Sequence, residues 1–440
     1  MKDNNSAHKL GLFACSAIVA GNMMGSGIAL LPANLAKIGS ISVFGWLIAG
    51  LGALALAYVY AKLGTDNPQA GGPIAYAGEV SPILGYQTGI LYFHANWIGN
   101  LAIAITGVAY LSVFFPVLTQ PIPAGITTLV IIWIFTGINI LGAAWIGRLV
   151  TVGVIVLLVP VVLTGTWGWV HFSREQYMAN WNVGHQSDSQ AILAAVLLCI
   201  WSFIGVESAS VGAGVVKNPK RTVPLATIIG TCVAGLVYVL SCTAISGMFP
   251  AATVAASGAP FSLAAGHMFG AWAPDLVSAV TAFACLASLG SWMMLVSQAG
   301  ARAASDGTLP AWFGKKNRKG IPVAGLVATS VFMSILMLLL MAATRGGNTQ
   351  EIFGEIASIA VLLTLPPYFY SALNLIKERG FRDRKAVVNV IASILACIFC
   401  FTALAGAARW YLASAVIAMF IPFIAYVGKA RTGTRPGAAA

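Results

Sequence analysis

Charge is what this chain has least of. Asp, Glu, Lys and Arg make up 8% of its 440 residues, against 59% hydrophobic residues and a mean hydropathy of +0.87. A soluble domain carries about 25% charged residues. Soluble globular classes are therefore excluded, and a polytopic membrane protein is indicated. The chain has no phosphate-cradling P-loop, which removes ATP as a driver. It also lacks a His-Glu-x-x-His pattern, a clustered His/Asp ligand set within a span, and a Gly-x-Ser-x-Gly elbow. Neither an intramembrane hydrolase nor a metalloenzyme is expected, and nothing calls for a metal or a cofactor. No repeated filter-like loop or charged ring of the channel kind is present. The seven cysteines are scattered through apolar segments at spacings that fit neither a disulfide framework nor a zinc site, so they are expected to be small core residues.

What the chain does have is a succession of long apolar runs. The first is too long for the apolar region of a signal peptide and has no small-residue cleavage site before it ends, so it is expected to stay as a helix. At about 20 residues per crossing, twelve spans are predicted over roughly 11–35, 41–62, 86–115, 123–142, 146–170, 191–213, 224–248, 272–304, 322–343, 353–376, 386–406 and 410–428. With the N-terminus inside, 20 of the 24 basic residues fall in cytoplasmic loops or tails, and only Lys37, Arg174, Arg345 and Arg409 fall outside. The positive-inside rule thus supports an even number of spans with both termini cytoplasmic. It also accounts for the net charge of +12 without nucleic acid. The same residues can attract anionic lipid at that face.

Two of the runs are interrupted. Gly25, Ser26 and Gly27, within Gly21-Asn-Met-Met-Gly-Ser-Gly-Ile-Ala-Leu-Leu-Pro32, each weaken a helix at membrane depth. The backbone groups they free are tolerated only against protein or a wet cavity. Past such a cut, the N-terminal end of the second half-helix offers unpaired N–H groups and a positive dipole, suited to a carboxylate. A second interruption lies at Trp201-Ser-Phe-Ile-Gly-Val-Glu-Ser208. If spans one to five form one repeat (11–170) and spans six to ten another (191–376), each repeat opens on a broken helix. Five is odd, so the second repeat is inserted upside down. This is the all-α 5+5 inverted repeat of leucine-transporter-type secondary transporters, with helices eleven and twelve (386–428) outside it and tails at 1–10 and 429–440.

Glu207 is the acidic residue placed firmly at membrane depth. A carboxylate there is either protonated or waiting for a cation, which makes it a candidate proton-coupling group; the plainer alternative is a carboxylate hydrogen-bonded to a neighbouring helix. Unwinding at Gly205 lets Trp201 and Glu207 face one cavity. Trp201 and Trp292, both away from the interface where tryptophan usually anchors, either pack or hold a substrate's stem or cation. Tyr92, Asn96 and Asn100 form a polar stripe at i, i+4, i+8, open between helix packing and cavity lining, while His94 and Trp97 fall off it. Tyr76 and Glu79 lie in a segment expected to be reentrant or loop-like, where a second carboxylate could attract a cationic substrate.

Together, Gly21-Asn-Met-Met-Gly-Ser-Gly27, Trp201-Ser-Phe-Ile-Gly-Val-Glu-Ser208 and Lys217-Asn-Pro-Lys-Arg-Thr-Val-Pro224 resemble the amino acid, polyamine and organocation transporter superfamily, in its basic amino acid/polyamine antiporter branch. The resemblance covers essentially the whole chain. Gly71-Gly-Pro-Ile-Ala-Tyr-Ala-Gly-Glu79 and Tyr92-Phe-His-Ala-Asn-Trp-Ile-Gly-Asn100 are most similar to members that exchange lysine for cadaverine. Glu79 and Asn96 depart from the arginine-exchanging pattern. The resemblance implies a bacterial inner-membrane exchanger that contributes to acid resistance, with proton-coupled cadaverine uptake as a second mode and a homodimeric assembly. It implies that Asn22, Ser26 and Gly27 hold the substrate carboxylate and that carbonyls near Ile204 and Gly205 take the α-ammonium. Trp201 and Trp292 would enclose the stem with Asn96 and Asn100 in support, Glu207 would couple protons, and Tyr92 would gate. Arginine/agmatine or ornithine/putrescine exchange keeps the same fold. A sensor or a channel is the rival from another class.

Overall fold

An apolar chain in a membrane can satisfy its backbone only within helices or a closed barrel. This one does so with helices, and no strand occurs among the described residues. The computed structural model describes residues 11–24, 27–66, 72–141, 146–207, 218–305, 307–343, 349–379 and 386–431. The first half comprises α1 (Leu12–Met24), α2 (Leu31–Ala36), α3 (Ser42–Asp66), α4 (Pro73–Val80), α5 (Pro82–Leu111), α6 (Pro121–Leu141), α7 (Ile146–Thr166) and α8 (Arg174–Ala179). Then follow α9 (Asp188–Trp201), α10 (Pro219–Met248), α11 (Ala251–Ala256), α12 (Pro260–Phe269), α13 (Ala273–Ser305), α14 (Val323–Ala343) and α15 (Thr349–Arg379). α16 (Ala386–Gly406) and α17 (Arg409–Arg431) complete the chain.

Proline sets many of the starts. α2, α4, α5, α10 and α12 each carry it in the first turn, where its missing N–H costs nothing. The loop helix α8 and the apolar α9 begin instead on serine caps, Ser173 and Ser187, whose hydroxyls accept from the amides of Gln176 and Gln190 at 3.2 and 3.4 Å.

Among the described residues, seven helices are long and apolar enough to cross a membrane: α3, α6, α10, α13, α14, α15 and α16. Shorter apolar stretches occur at Ile155–His171, Asp188–Trp201 and Tyr411–Val427. α1 and α9 are short because the runs that hold them are broken. The 30-residue α5 is outside both groups, and it is the helix that carries the polar stripe. The chain is a multi-span helical membrane protein.

In the bundle, α3 lies on α10, α5 on α13, and α6 on α14. α1 packs on α10 and α9 on α3; α7 packs on α13 and α15 on α5. α4 rests on α5 and α15, and α12 on α13 and α7. α15 runs through the interior, with 78% of its apolar window buried against 33% for α6 and α14. The outer faces of α6, α16 and α17 expose Ile122, Ile134, Val387, Phe401 and Ile424, as lipid-facing surfaces require.

Candidate functional site

The two interruptions meet. α1 ends at Met24, Ser26 lies outside the described residues, and turns at residues 27–30 lead into α2. α9 ends at Trp201 and gives way to turns over residues 202–207, with Gly205 at φ +105°, a conformation that a side chain would strain. Three carbonyls at the breaks are taken up by neighbouring side chains. Ser202 Oγ donates to the Gly27 carbonyl at 3.2 Å, joining one break to the other. Tyr110 of α5 donates to the Ala29 carbonyl at 2.9 Å, and Tyr238 of α10 to the Ser202 carbonyl at 3.1 Å. Nonhelical backbone thus persists at membrane depth because buried phenols satisfy it.

Beside the breaks is a narrow cavity. Met23 and Gly27 come from the first broken run, Trp201 and Ile204 from the second. Asn96, Gly99, Asn100 and Ile103 line it from α5, Ser288 and Trp292 from α13, and Thr364 from α15. Gly99 makes room for an indole: a Cβ there would sit 3.2 Å from Trp201 Cη2. The Trp201 ring meets Phe353 edge-on at 6.1 Å, and its Nε1 has no hydrogen-bond partner among the described residues. Asn100 is 1% exposed, and neither its Nδ2 nor its Oδ1 is paired among the described residues. A buried amide without a partner is costly, and here it lines an empty space. None of these lining residues is charged, so the cavity suits an aliphatic stem between indole faces, with its polar ends on the orphan amide, hydroxyls and break backbone.

Glu207 lies in the turns of the second break and is 1% exposed. Tyr92 of α5 donates to its Oε1 at 2.8 Å and Tyr368 of α15 to its Oε2 at 3.1 Å. Tyr60 flanks Tyr368 at 6.0 Å between ring centres and Tyr76 at 6.1 Å, and Ser371 Oγ donates to the Tyr60 hydroxyl at 3.2 Å. One carboxylate thereby ties the broken run to two helices through a girdle of phenols.

Of the residues singled out in the sequence, the structure brings Gly27, Asn96, Asn100, Trp201, Ile204 and Trp292 to one cavity, with Gly205, Glu207 and Tyr92 next to it. Asn96 also donates to the Tyr92 carbonyl at 2.6 Å. Asn22 sits on α1, and its side chain lies outside the described residues. Tyr76 and Glu79 do not line the cavity. Their segment was expected to be reentrant or loop-like, but from Pro73 it is the helix α4, started by that proline after Gly72 at φ +79°. Tyr76 is buried against Tyr60, while Glu79 is exposed and accepts from Asn374 Nδ2 at 2.6 Å through Oε2 and from Lys377 Nζ through its carbonyl. His94 and Trp97 pack away from the cavity, His94 Nδ1 2.9 Å from the Ile90 carbonyl and Trp97 against Phe332. Sequence reasoning missed Ser288, Thr364 and Tyr368. The pair Pro366-Pro367 inside an apolar span marked α15 as irregular, and Thr364 and Tyr368 flank it.

An amino acid permease family model matches residues 10–431. A cadaverine/lysine antiporter of Escherichia coli is 56% identical over 426 residues, which cover 97% of this chain and 96% of that protein. The putrescine transporter PotE of Haemophilus influenzae is 30% identical over 427 residues, 96% of this chain and 97% of that one. PotE of Escherichia coli is 31% identical over 402 residues, 90% and 91% of the two chains.

Proposed function

The chain belongs to the amino acid permease family, and on that footing we propose that it exchanges external lysine for internal cadaverine by alternating access. It is a transporter and not an enzyme. The observation that carries the substrate pair is the gap in similarity: 56% identity to a cadaverine/lysine antiporter against 30–31% to putrescine transporters, each over nearly the full length. The cavity suits the pair. A site without charged lining residues can accept a substrate with a carboxylate and one without if affinity rests on the amines and the stem. A monocation enters and a dication leaves, so each cycle removes one positive charge from the cell. Where the imported lysine is decarboxylated to make cadaverine, a cytoplasmic proton is consumed too, which suits acid resistance.

The finer architecture is twelve spans in a 5+5 inverted repeat, 11–170 and 191–376, followed by helices at 386–428, in a bacterial inner membrane with both termini cytoplasmic. In support, exchanging α1 with α9, α3 with α10, α4 with α12, α5 with α13, α6 with α14 and α7 with α15 turns each packing pair named above into another of them. The short helices α4 and α12 each begin on a proline, Pro73 and Pro260. In the site, Ser26, Gly27 and Asn22 receive the carboxylate, and carbonyls near Ile204 and Gly205 the α-ammonium. Trp201 and Trp292 hold the stem, with Asn96 and Asn100 in support. Glu207 exchanges protons with the cycle, and Tyr92 gates with it, because releasing the Tyr92 and Tyr368 bonds frees the broken run from α5 and α15. On the external side, Lys37 at the end of α2 pairs with Glu351 at the start of α15 at 3.1 Å, half in solvent and therefore weak. Tyr76 and Glu79 act at a distance, Glu79 by attracting cations. Protons, bilayer lipid and a second copy of the chain complete the partners.

The test is uptake of labelled lysine into proteoliposomes preloaded with cadaverine, putrescine, agmatine or buffer. Cadaverine is expected to stimulate most. Equal uptake into empty vesicles removes obligate exchange and favours a channel, whereas stronger stimulation by putrescine or agmatine moves the substrate pair and leaves the site in place.

A further inference from the structure

Away from the cavity, α13 ends at Ser305 and the chain returns through a 3-10 turn, Ala311–Gly314. Between them is an open surface hollow whose lining includes Arg302, Lys315, Lys316 and Gln298. All three cations are exposed, and among the described residues neither the Lys315 nor the Lys316 side chain has a hydrogen-bond or ion-pair partner. The nearby Lys319 is differently placed: its Nζ donates to the Leu141 carbonyl at the end of α6 at 2.8 Å. A topogenic signal needs basic residues only on one side of the membrane. It does not need them gathered around one hollow, where like charges repel. The remaining wall is small and mostly apolar, made by Ala301, Ala304, Ala311 and Gly314 with the hydroxyl of Ser305. Beside it, Trp312 is 43% exposed and stacks on Phe313 with ring centres 4.1 Å apart.

We propose that this hollow binds the headgroup of an anionic phospholipid, its phosphate held by Arg302, Lys315 and Lys316. The exposed indole and the alanine wall identify the bilayer as the source. They place an apolar flank beside the cations at the end of a span, where a headgroup continues into its chains. The hollow is also connected to the gate. Phe313 meets Phe93 of α5 edge-on at 5.6 Å, and Phe93 adjoins Tyr92, so an occupied hollow braces the helix that donates to Glu207. The inference rests on α13 being a membrane span and not on which substrates are exchanged.

The experiment is native mass spectrometry of the full chain in detergent, titrated with phosphatidylglycerol, phosphatidylcholine or glycerol phosphate. Wild type is expected to retain phosphatidylglycerol, and the Lys315→Gln/Lys316→Gln variant about tenfold less. Neither retains phosphatidylcholine, and glycerol phosphate does not displace the lipid. A Lys220→Gln/Arg221→Gln variant removes the same charge from the exposed first turn of α10 and is expected to bind as wild type does. Equal retention by wild type and the Lys315/Lys316 variant overturns the proposal, and so does equal loss in both variants, which reduces the effect to net charge. Displacement by glycerol phosphate overturns the bilayer as source and assigns the hollow to a soluble phosphate ester. Lysine counterflow in phosphatidylcholine vesicles reports on the exchange reading separately.

Discussion

Glu207 and Asn100 are both 1% exposed within the bundle, yet one is engaged and the other is not. Each Glu207 oxygen accepts a phenol, from Tyr92 and from Tyr368, whereas both polar atoms of Asn100 are idle. Polarity inside a membrane bundle therefore has two uses here. A satisfied group closes helices against one another, and its bonds must break for them to part. An unsatisfied group holds nothing together and costs the empty protein about 1–3 kcal/mol, which an arriving ligand can recover. The girdle around Glu207 is a latch, and the amide of Asn100 is a socket.

Removing the carboxylate breaks this comparison most severely. Glu207→Leu strands the Tyr92 and Tyr368 hydroxyls in the interior, at about 1–3 kcal/mol for each unpaired group. A clear loss of thermal stability is expected, together with a fall in exchange of about 100-fold or more. Glu207→Gln keeps the shape and an acceptor for one phenol, so the fold should survive while the pH dependence of exchange flattens. A glutamine variant with an unchanged pH profile would take Glu207 out of the proton step, and a leucine variant that melts like wild type would show that the latch contributes no stability.

Asn100→Leu should do the opposite, which sharpens the contrast. Its side chain makes no hydrogen bond among the described residues, so thermal stability is expected to hold or rise. Substrate affinity should fall about tenfold, equivalent to about 1.4 kcal/mol. Both are read from one experiment, melting curves with and without lysine. If the lysine-induced shift equals that of wild type, the socket is elsewhere.

These two residues also mark how far the sequence could be read. Glycine at 25, 27 and 205 inside apolar runs announced the breaks, and the i, i+4, i+8 spacing put Tyr92, Asn96 and Asn100 on one face of α5 because helical periodicity is local. The segments expected at 41–62, 386–406 and 322–343 coincide with α3, α16 and α14 for the same reason. What periodicity could not supply was partnership across the bundle. Tyr368 is 161 positions from Glu207, and nothing local to either residue names the other. The Tyr110 and Tyr238 hydroxyls look like ordinary buried tyrosines until the carbonyls they cap have coordinates. The segment at 73–80 misled for a different cause: Gly71, Gly72 and Pro73 signal a turn, and a turn is also how a short helix begins.

Trp292 comes next in expected size. It is half-buried on the cavity wall, whereas Trp201 is wedged between Gly99 and Phe353. Trp292→Ala should weaken lysine binding about fivefold, the scale of one cation–π or stem contact, with little change in melting. Trp201→Ala should lose both binding and stability. Binding measured by calorimetry against melting separates the two rings, and wild-type affinity in the Trp292 variant would make that ring packing alone.

The smallest effect is expected at Glu79, which the sequence placed beside Tyr76 as an attractor of cations. It is exposed, outside the cavity, and bonded to Asn374 and Lys377 at the end of α15. Glu79→Gln keeps an acceptor for Asn374 and removes only the charge, so stability should stay within about 0.5 kcal/mol of wild type. Any effect on transport must then act through the field at the bundle's mouth. Such steering is screened over about 10 Å at 0.1 M salt, so a rise in KM that is present at low ionic strength and gone at high would make Glu79 an attractor. A rise that salt does not touch would mean that Asn374 and Lys377, and with them the end of α15, had shifted. The latch and the socket are buried and should respond to salt in neither way. Ionic strength therefore separates a charge that guides substrate to the site from groups that hold it there.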